Sequence, residues 1–272
     1  MDAPKNDRDR PLVVITGGLG RVGTVLRPYL RRHHKLRIVD TAERADAVEP
    51  EPEVDIRRAD IGEPDAAYEF LNGADAILHL AGDANPWHGW EDVYRANVRP
   101  MPALLQAAAA HAVPKIVLAS SLHAAGEYNR PVFWPVSPRL EPKPCCAYGL
   151  SKVVVEALGR SHAERTGASV TCLRLGLTGW PLTERRYLGM WLSDGDAARL
   201  VLAALCAREP FGVHFGVSAN SRRHWDTASA QTELGYRPQD DSELYADSAG
   251  PASGPVCRIF DDSSELRMRG MT

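Results

Sequence analysis

Short apolar runs alternate with amphipathic stretches along the first two thirds of the chain. Strands that are apolar throughout and alternate with helices are typical of a parallel sheet covered on both faces. The pattern therefore predicts an α/β fold built on a doubly wound parallel sheet. The predicted strands cover residues 12–15, 36–39, 54–58, 76–80, 115–119 and 170–175, and helical spacing extends over residues 64–72, 90–112 and 148–167.

Prolines indicate where the predicted helices break. Pro28 lies inside the first helical pattern and is expected to kink that helix or end it early. Pro100 and Pro102 are expected to break the alanine-rich segment over residues 90–112. A proline-rich loop over residues 124–146 precedes the longest predicted helix.

Beyond residue 176 the alternation of strand and helix weakens. A helix over 192–207, capped by Ser193 or Asp194, and a strand over 212–216 are the remaining predicted elements. We therefore predict three parts: a flexible tail over 1–10, a nucleotide-binding sheet core over 11–176, and a small irregular substrate-binding part over 177–272.

Charge and composition exclude several classes of partner. Lys and Arg total 32 against 35 for Asp and Glu, so the formal charge of −3 gives no electrostatic footprint for nucleic acid or an anionic membrane. The first ten residues are too polar for a secretory signal, and no apolar run approaches the roughly 18 residues of a membrane span. We expect a cytoplasmic protein that acts on a small molecule.

The cysteines give no metal-binding signature in the sequence. Five are present, at positions 145, 146, 172, 206 and 257, with one adjacent pair and no C-x-x-C spacing. The histidines show no ligand spacing either. Reduced thiols at packing positions and no metal site are the expectation.

A glycine-rich turn follows the first strand and opens a helix. Its sequence is Gly17-Gly18-Leu19-Gly20-Arg21-Val22-Gly23. Such glycines let the backbone approach a pyrophosphate at a helix N-terminus, although glycine-rich turns also occur without a ligand. Asp40 follows the second strand, where a carboxylate can bind both ribose hydroxyls and repel a 2′-phosphate. We predict NAD as cofactor, with NADP possible because Arg21 could compensate.

Tyr148 and Lys152 are one helical turn apart, on one face of a predicted helix. A cation there is expected to lower the pKa of the phenol towards the working pH. Tyr148 could then exchange a proton with an alcohol or ketone. Ser121, at the end of the preceding strand, could bind the same substrate oxygen. The alternative is that Tyr148 and Lys152 are two solvated helix residues.

With these motifs the chain resembles the short-chain dehydrogenase/reductase superfamily, in its extended, epimerase/dehydratase-like branch, over residues 11–240. The resemblance implies a Rossmann-type fold and, in many members, a homodimer formed by the helices near 90–112 and 148–167. It also implies cofactor roles for three segments, with Asp60-Ile61 at the adenine edge, Leu80-Ala81-Gly82 along the cofactor, and Asn97 as support for the active site.

Within that branch the chain is similar to the uronate dehydrogenases, which oxidise sugar acids to lactones with NAD. The similar stretches are Ala119-Ser120-Ser121-Leu122-His123, Tyr187-Leu188-Gly189-Met190-Trp191-Leu192-Ser193 and Phe215-Gly216-Val217-Ser218-Ala219-Asn220. Arg186 matches the arginine that holds the substrate carboxylate. Ala84, Leu122 and Leu177 replace polar residues of that group, and unpaired substrate hydroxyls would cost about 1–3 kcal/mol each.

Tryptophans in the loops that follow strands predict a substrate other than a sugar acid. Trp87 and Trp180, with His88 or His123 nearby, would suit a flat ligand better than a sugar acid. We therefore predict a ketoreductase of a heterocyclic or nucleoside-like molecule. The alternatives are a uronate dehydrogenase, a nucleotide-sugar epimerase or dehydratase, and a non-catalytic NAD sensor.

Overall fold

Seven parallel strands form one sheet in the order β3-β2-β1-β4-β5-β6-β7. The computed structural model describes residues 10–49, 53–254 and 256–257. The strands are β1 Leu12–Thr16, β2 Lys35–Asp40, β3 Val54–Arg58, β4 Ala76–His79, β5 Lys115–Ser121, β6 Ser169–Leu175 and β7 Phe211–Gly216. The helices are α1 Arg21–Leu30, α2 Ala42–Ala45, α3 Pro64–Phe70, α4 Trp90–Val93, α5 Met101–Ala110, α6 Ala147–Thr166 and α7 Asp194–Cys206.

Hydrophobic layers bury both faces of the sheet. Successive side chains of a strand point to opposite faces, so each strand contributes to both layers. On β1, Val13 and Ile15 pack in a layer with residues of α1 and α7. Val14 lies in the opposite layer, with residues of α3, α5 and α6. The predicted Rossmann-type doubly wound sheet is confirmed. Its strand order reverses between β1 and β4, and ligands of such sheets bind at that point, beyond the carboxyl ends of the strands.

The prolines affect two helices differently. Pro28 lies inside α1, but the helix continues to Leu30, so the expected early end does not occur. The break in the alanine-rich segment is confirmed. Pro100 immediately precedes α5, and a π-helical turn over Tyr94–Val98 separates α4 from α5.

The sheet extends past residue 176. Strand β7 pairs along β6, and α7 packs against α1 in the same hydrophobic layer. Two elements of the predicted C-terminal part therefore complete the core. The substrate-binding role of residues 177–272 stays a prediction, and the predicted tail lies almost entirely outside the described residues.

Among the helices of the described residues, none combines the length and apolar character needed to cross a bilayer. The cytoplasmic location stays a prediction from the sequence.

Candidate active site

The glycine-rich turn brings the end of β1 close to the loop after β4. Gly17 has a φ of +70°, and a Cβ atom on it would lie 2.5 Å from the backbone of Ala81. A Cβ on Gly23 would overlap the carbonyl oxygen of Gly18, so α1 begins directly against the turn. Gly20 is the N-cap of α1 and Val22 lies in its first turn. The predicted residues Gly17, Gly20, Arg21, Val22 and Gly23 are thus together at one helix N-terminus.

Asp40 ends β2 and lies beside this turn. Its buried carboxylate accepts hydrogen bonds from the backbone N–H groups of Leu19 and Thr41, both at 3.0 Å. The Nε atom of Arg44 is 4.0 Å from the same carboxylate. These contacts fix a negative charge at the glycine turn, at the position that a ribose would occupy.

Arg21 and Trp180 form a stacked pair over the turn. The guanidinium carbon of Arg21 is 3.7 Å from the ring centroid of Trp180. Sequence reasoning placed Trp180 in the substrate pocket. The structure places one face of its ring against Arg21, at the N-terminus of α1.

The adenine-edge residues lie on the loop after β3. The side chain of Asp60 accepts a hydrogen bond from the backbone N–H of Gly62 at 2.8 Å. Ile61 is buried in the layer that also holds Val39. This loop therefore has a fixed shape beside the end of β2.

Asn97 connects the loop after β4 to α6. Its side-chain oxygen accepts the N–H of Asp83 at 2.7 Å, and its amide nitrogen donates to the Asp83 carbonyl at 3.0 Å and to Ser151 Oγ at 2.8 Å. Gly82 has a φ of +147°, and a Cβ on it would overlap Asn97 Oδ1. The segment Leu80-Ala81-Gly82 is consequently held against α6 through Asn97.

Tyr148, Lys152 and Ser121 meet where β5 ends and α6 begins. All three side chains are buried, and Ser121 is close enough to Tyr148 to act on the pKa of its phenol. Lys152 Nζ donates to the carbonyl of Ala119 at 2.9 Å and lies 5.7 Å from the Tyr148 ring centroid. The predicted catalytic residues are therefore adjacent.

The pKa of the tyrosine moves in the direction opposite to the predicted one. Burial raises the pKa of Tyr148 to about 12, although its hydrogen bond with Ser121 acts to lower it. Burial also lowers the pKa of Lys152 to about 8, and the charges of Glu156 and Asp83 oppose that shift. The sequence pattern shows the spacing of the two groups but not their desolvation.

Glu156 and Arg174 form a buried ion pair one helical turn from Lys152 that the sequence did not predict. Arg174 donates to both carboxylate oxygens of Glu156 at 2.8 Å, and Ser120 Oγ donates to the same carboxylate at 2.5 Å. Both charged residues are at most 5% exposed. The i, i+4 spacing of Lys152 and Glu156 on α6 was a signal that could have located the carboxylate.

The loop after β4 carries Ala84 and Trp87. Trp87 is 42% exposed, and its backbone N–H donates to the Asn85 side chain at 3.0 Å. Nearby, His88 bonds the carboxylate of Asp83, and this hydrogen bond raises the pKa of His88. Trp87 thus presents much of its ring surface to solvent at the ligand-binding edge of the sheet.

The other predicted substrate residues lie in different surroundings. Leu122 packs in a buried cluster with Val136, Phe215 and Trp225. Leu177 joins the loop after β6 to the segment before α7, since its backbone N–H donates to Met190 O at 2.8 Å. Leu122 therefore belongs to the hydrophobic core. The polar residue of the similar enzymes would be costly to bury there without a hydrogen-bond partner.

Arg186, the predicted carboxylate-binding residue, already has partners. Its Nε atom is 2.6 Å from the carboxylate of Glu184, and its Nη2 atom donates to the carbonyl of Ser253 at 3.0 Å. Its Nη1 atom donates to the carbonyl of Gly254. His123 lies edge-on to the Tyr148 ring, with centroids 5.5 Å apart.

The residues at this edge of the sheet fit NAD. The turn would lose its close backbone approach if a Cβ atom were added at Gly17 or Gly23, and the carboxylate of Asp40 is fixed beside it. The buried Tyr148 and Lys152 lie across the sheet from the adenine side, where the nicotinamide end would lie.

Comparisons with known proteins agree with this geometry. The model of the NAD dependent epimerase/dehydratase family matches residues 13–178. Uronate dehydrogenase of Pseudomonas syringae pv. tomato is 34% identical over 86% of this chain and 83% of its own length. The NAD-dependent glucose-6-phosphate dehydrogenase of Haloferax volcanii is 31% identical over 89% of this chain and 98% of its own.

A solved structure of a uronate dehydrogenase also matches this chain. A point mutant of uronate dehydrogenase from Agrobacterium tumefaciens, complexed with NAD, is 28% identical with a TM-score of 0.81 and covers 91% of this chain and 92% of that chain. These comparisons do not support the predicted ketoreductase of a heterocyclic molecule, and they fit the uronate dehydrogenase alternative better. The chain belongs to the NAD dependent epimerase/dehydratase family and is an NAD-dependent oxidoreductase that acts on CH–OH groups.

Proposed function

We propose that the protein oxidises the anomeric hydroxyl of a uronic acid to a lactone. The observation that carries the proposal is the joint burial of Ser121, Tyr148 and Lys152 where β5 ends and α6 begins, with Lys152 one turn after Tyr148 on the same helix. The names of the relatives support a sugar as the substrate class. When bound, NAD accepts the hydride from C1 of the sugar.

Each catalytic side chain has one proposed task. Tyr148 acts as the base in its phenolate form: the phenol first releases its own proton to solvent, and the phenolate then takes the proton of the anomeric hydroxyl as the C–O bond becomes a carbonyl. Ser121 binds the same oxygen and orients it towards Tyr148. Lys152 supplies a positive charge near the phenol, and its hydrogen bond to the Ala119 carbonyl fixes its position. The three groups together move one proton, so the remaining change at C1 is loss of a hydride.

We propose that the cofactor residues form one continuous binding surface for NAD. We assign the pyrophosphate to the turn over residues 17–23 and the adenosine ribose to Asp40. Asp60-Ile61 borders the adenine, and Leu80-Ala81-Gly82 follows the cofactor towards Lys152. Asn97 keeps this last segment against α6 through its three hydrogen bonds.

Asp40→Ala is expected to reduce the preference for NAD over NADP by about 10- to 100-fold. A charge-assisted hydrogen bond contributes about 1.5–3 kcal/mol, and the same change removes the repulsion of a 2′-phosphate. The measurement is kcat/KM for each cofactor. Asp40→Asn serves as the control, because it keeps an acceptor for the N–H of Leu19. A wild-type protein that prefers NADP would contradict the assignment.

A second candidate substrate is an aldose without a carboxylate. The specific observation in its favour is the ion pair of Arg186 with Glu184, since a substrate carboxylate would have to compete with Glu184 for the guanidinium. Apolar side chains at Ala84 and Leu177 also leave fewer partners for sugar hydroxyls.

A substrate panel distinguishes the two candidates. NADH formation should be followed by absorbance with galacturonate, glucuronate, L-arabinose and glucose 6-phosphate at equal concentration. We expect a uronate to give the highest kcat/KM, and Arg186→Ala to lower that value by about tenfold or more while the neighbouring Arg185→Ala does not. L-Arabinose or glucose 6-phosphate as the best substrate would select the second candidate. No NADH with any sugar would contradict both.

We further propose a homodimer formed through α5 and α6. These helices lie side by side, and the groove between them is lined by apolar residues, Pro102, Leu105, Ala109 and Leu158, and by polar residues, Gln106, His162, Arg165 and Thr166. The molar mass from light scattering tests this proposal, and a monomer at the working concentration would contradict it.

A further inference from the structure

Four metal-binding side chains converge beside the candidate active site. They are His123, Cys145, Cys146 and Cys257, and one ligand atom from each lies within 4.8 Å of the other three. The three cysteines are buried and His123 is partly buried. The sequence analysis missed this cluster, because its members come from three separated segments of the chain.

The distances within the cluster fit a tetrahedral site. His123 Nδ1 is 3.1 Å from Cys145 Sγ and 3.5 Å from Cys146 Sγ, and the two sulfurs are 4.0 Å apart. Tetrahedral Zn²⁺ with Zn–S bonds of about 2.3 Å and Zn–N bonds of about 2.1 Å separates its ligand atoms by about 3.5–3.8 Å. Cys257 Sγ lies within 4.8 Å of these three atoms, so a metal bound by all four would draw them closer together.

The surrounding backbone is shaped to admit these side chains. A Cβ atom on Gly126 would overlap the Cys145 sulfur, and one on Gly149 would overlap the carbonyl of His123. The backbone N–H of Gly149 also donates to Cys146 Sγ at 3.4 Å, so this sulfur caps the N-terminus of the 20-residue helix α6. A helix N-terminus favours a negatively charged thiolate, which is the form that binds metal.

We propose that His123, Cys145, Cys146 and Cys257 bind one Zn²⁺ ion. Thiolate and imidazole ligands in a tetrahedral arrangement suit this metal. Four protein ligands leave no open position, so the ion is structural and takes no part in the hydride or proton transfer.

Such an ion would link three parts of the chain at the active site. His123 follows Ser121 by two residues, and Cys146 precedes Tyr148 by two. Cys257 comes from the C-terminal segment, and its thiol donates to the Cys145 carbonyl at 3.5 Å. The metal would therefore help position both hydroxyl-bearing residues and would hold Cys257 beside Cys145.

A disulfide is the competing use of these cysteines. Cys145 and Cys146 are neighbours in sequence, and their sulfur separation of 4.0 Å is about twice an S–S bond. A bridge from Cys257 to either cysteine would leave the third thiol and His123 without that partner. A metal uses all four groups, which is why we favour it.

The test is the metal content of the full-length protein, purified without chelator and dialysed against metal-free buffer. We expect about one zinc per chain by plasma mass spectrometry. Cys257→Ser should weaken zinc binding about tenfold or more, while Cys206→Ser, which changes the exposed cysteine outside the cluster, should not. Chelation should lower the melting temperature of the wild type and of Cys206→Ser only.

A second measurement needs no variant. Wild-type protein loaded with Co²⁺ should show thiolate-to-cobalt charge-transfer bands and the intense visible bands of tetrahedral cobalt. Zinc well below one equivalent, octahedral cobalt spectra, or a zinc affinity unchanged in Cys257→Ser, measured by competition with a chelator, would each overturn the proposal. A disulfide that joins Cys257 to Cys145 or Cys146 in the purified protein would overturn it as well.

Discussion

Tyr148→Phe should lower kcat by about 10²–10⁴, the usual contribution of a positioned acid or base. Tyr148 is buried beside Ser121, so no solvent group can replace its hydroxyl without rearrangement. The ring is kept, and cofactor affinity should therefore change by no more than a few-fold. The measurement is NADH formation with the best sugar of the panel, together with NAD binding by calorimetry.

Tyr68→Phe is the matched control for this loss of a hydroxyl. Its ring is 55% exposed and lies outside the active site, so activity should stay near that of the wild type. Unchanged turnover in Tyr148→Phe would remove the tyrosine from the proposed mechanism. A loss in NAD affinity as large as the loss in kcat would instead indicate a structural role.

Glu156→Ala is expected to reduce the free energy of unfolding by about 3–5 kcal/mol. The substitution leaves the guanidinium of Arg174 buried with its carboxylate partner removed, which is far more damaging than loss of an exposed pair. Ser120 also loses its acceptor. Urea denaturation followed by circular dichroism measures the change.

The exposed Glu164, on the same helix, provides the comparison. Glu164→Ala should change the unfolding free energy by less than about 0.5 kcal/mol. If Glu156→Ala had a similarly small effect, water would have to reach Arg174, and the pair would not be the buried element that the structure shows. The double variant Glu156→Ala with Arg174→Met should recover part of the loss, because no unpaired charge stays buried.

Local sequence patterns were enough to predict the sheet and to place the glycine turn beside Asp40. Apolar strands, a glycine turn and an acidic residue after β2 each depend on neighbours close in sequence. The spacing of Tyr148 and Lys152 depends on one turn of α6 and was equally visible. The end of α1 was not predictable in the same way, because Pro28 is tolerated where packing against the sheet stabilises the helix.

The features that the sequence did not predict depend on contacts between segments that are distant in the chain. The partners of Arg174 and Arg186 come from other elements, and no spacing rule connects them. Burial of Tyr148 is likewise a property of the folded chain, and it reversed the expected direction of the pKa shift. The prediction of a heterocyclic substrate rested on Trp87 and Trp180, with His88 or His123 nearby, and of the two tryptophans the structure places the Trp180 ring on Arg21.

The pairing of β7 with β6 limits how this enzyme can be divided or recombined. A fragment that stopped at residue 176 would leave the whole length of β6 as an unpaired sheet edge, and such edges promote aggregation. It would also remove α7 from the layer that covers α1. Chimeras of this protein with a relative should therefore place their junction after Gly216, where the last strand of the sheet is complete.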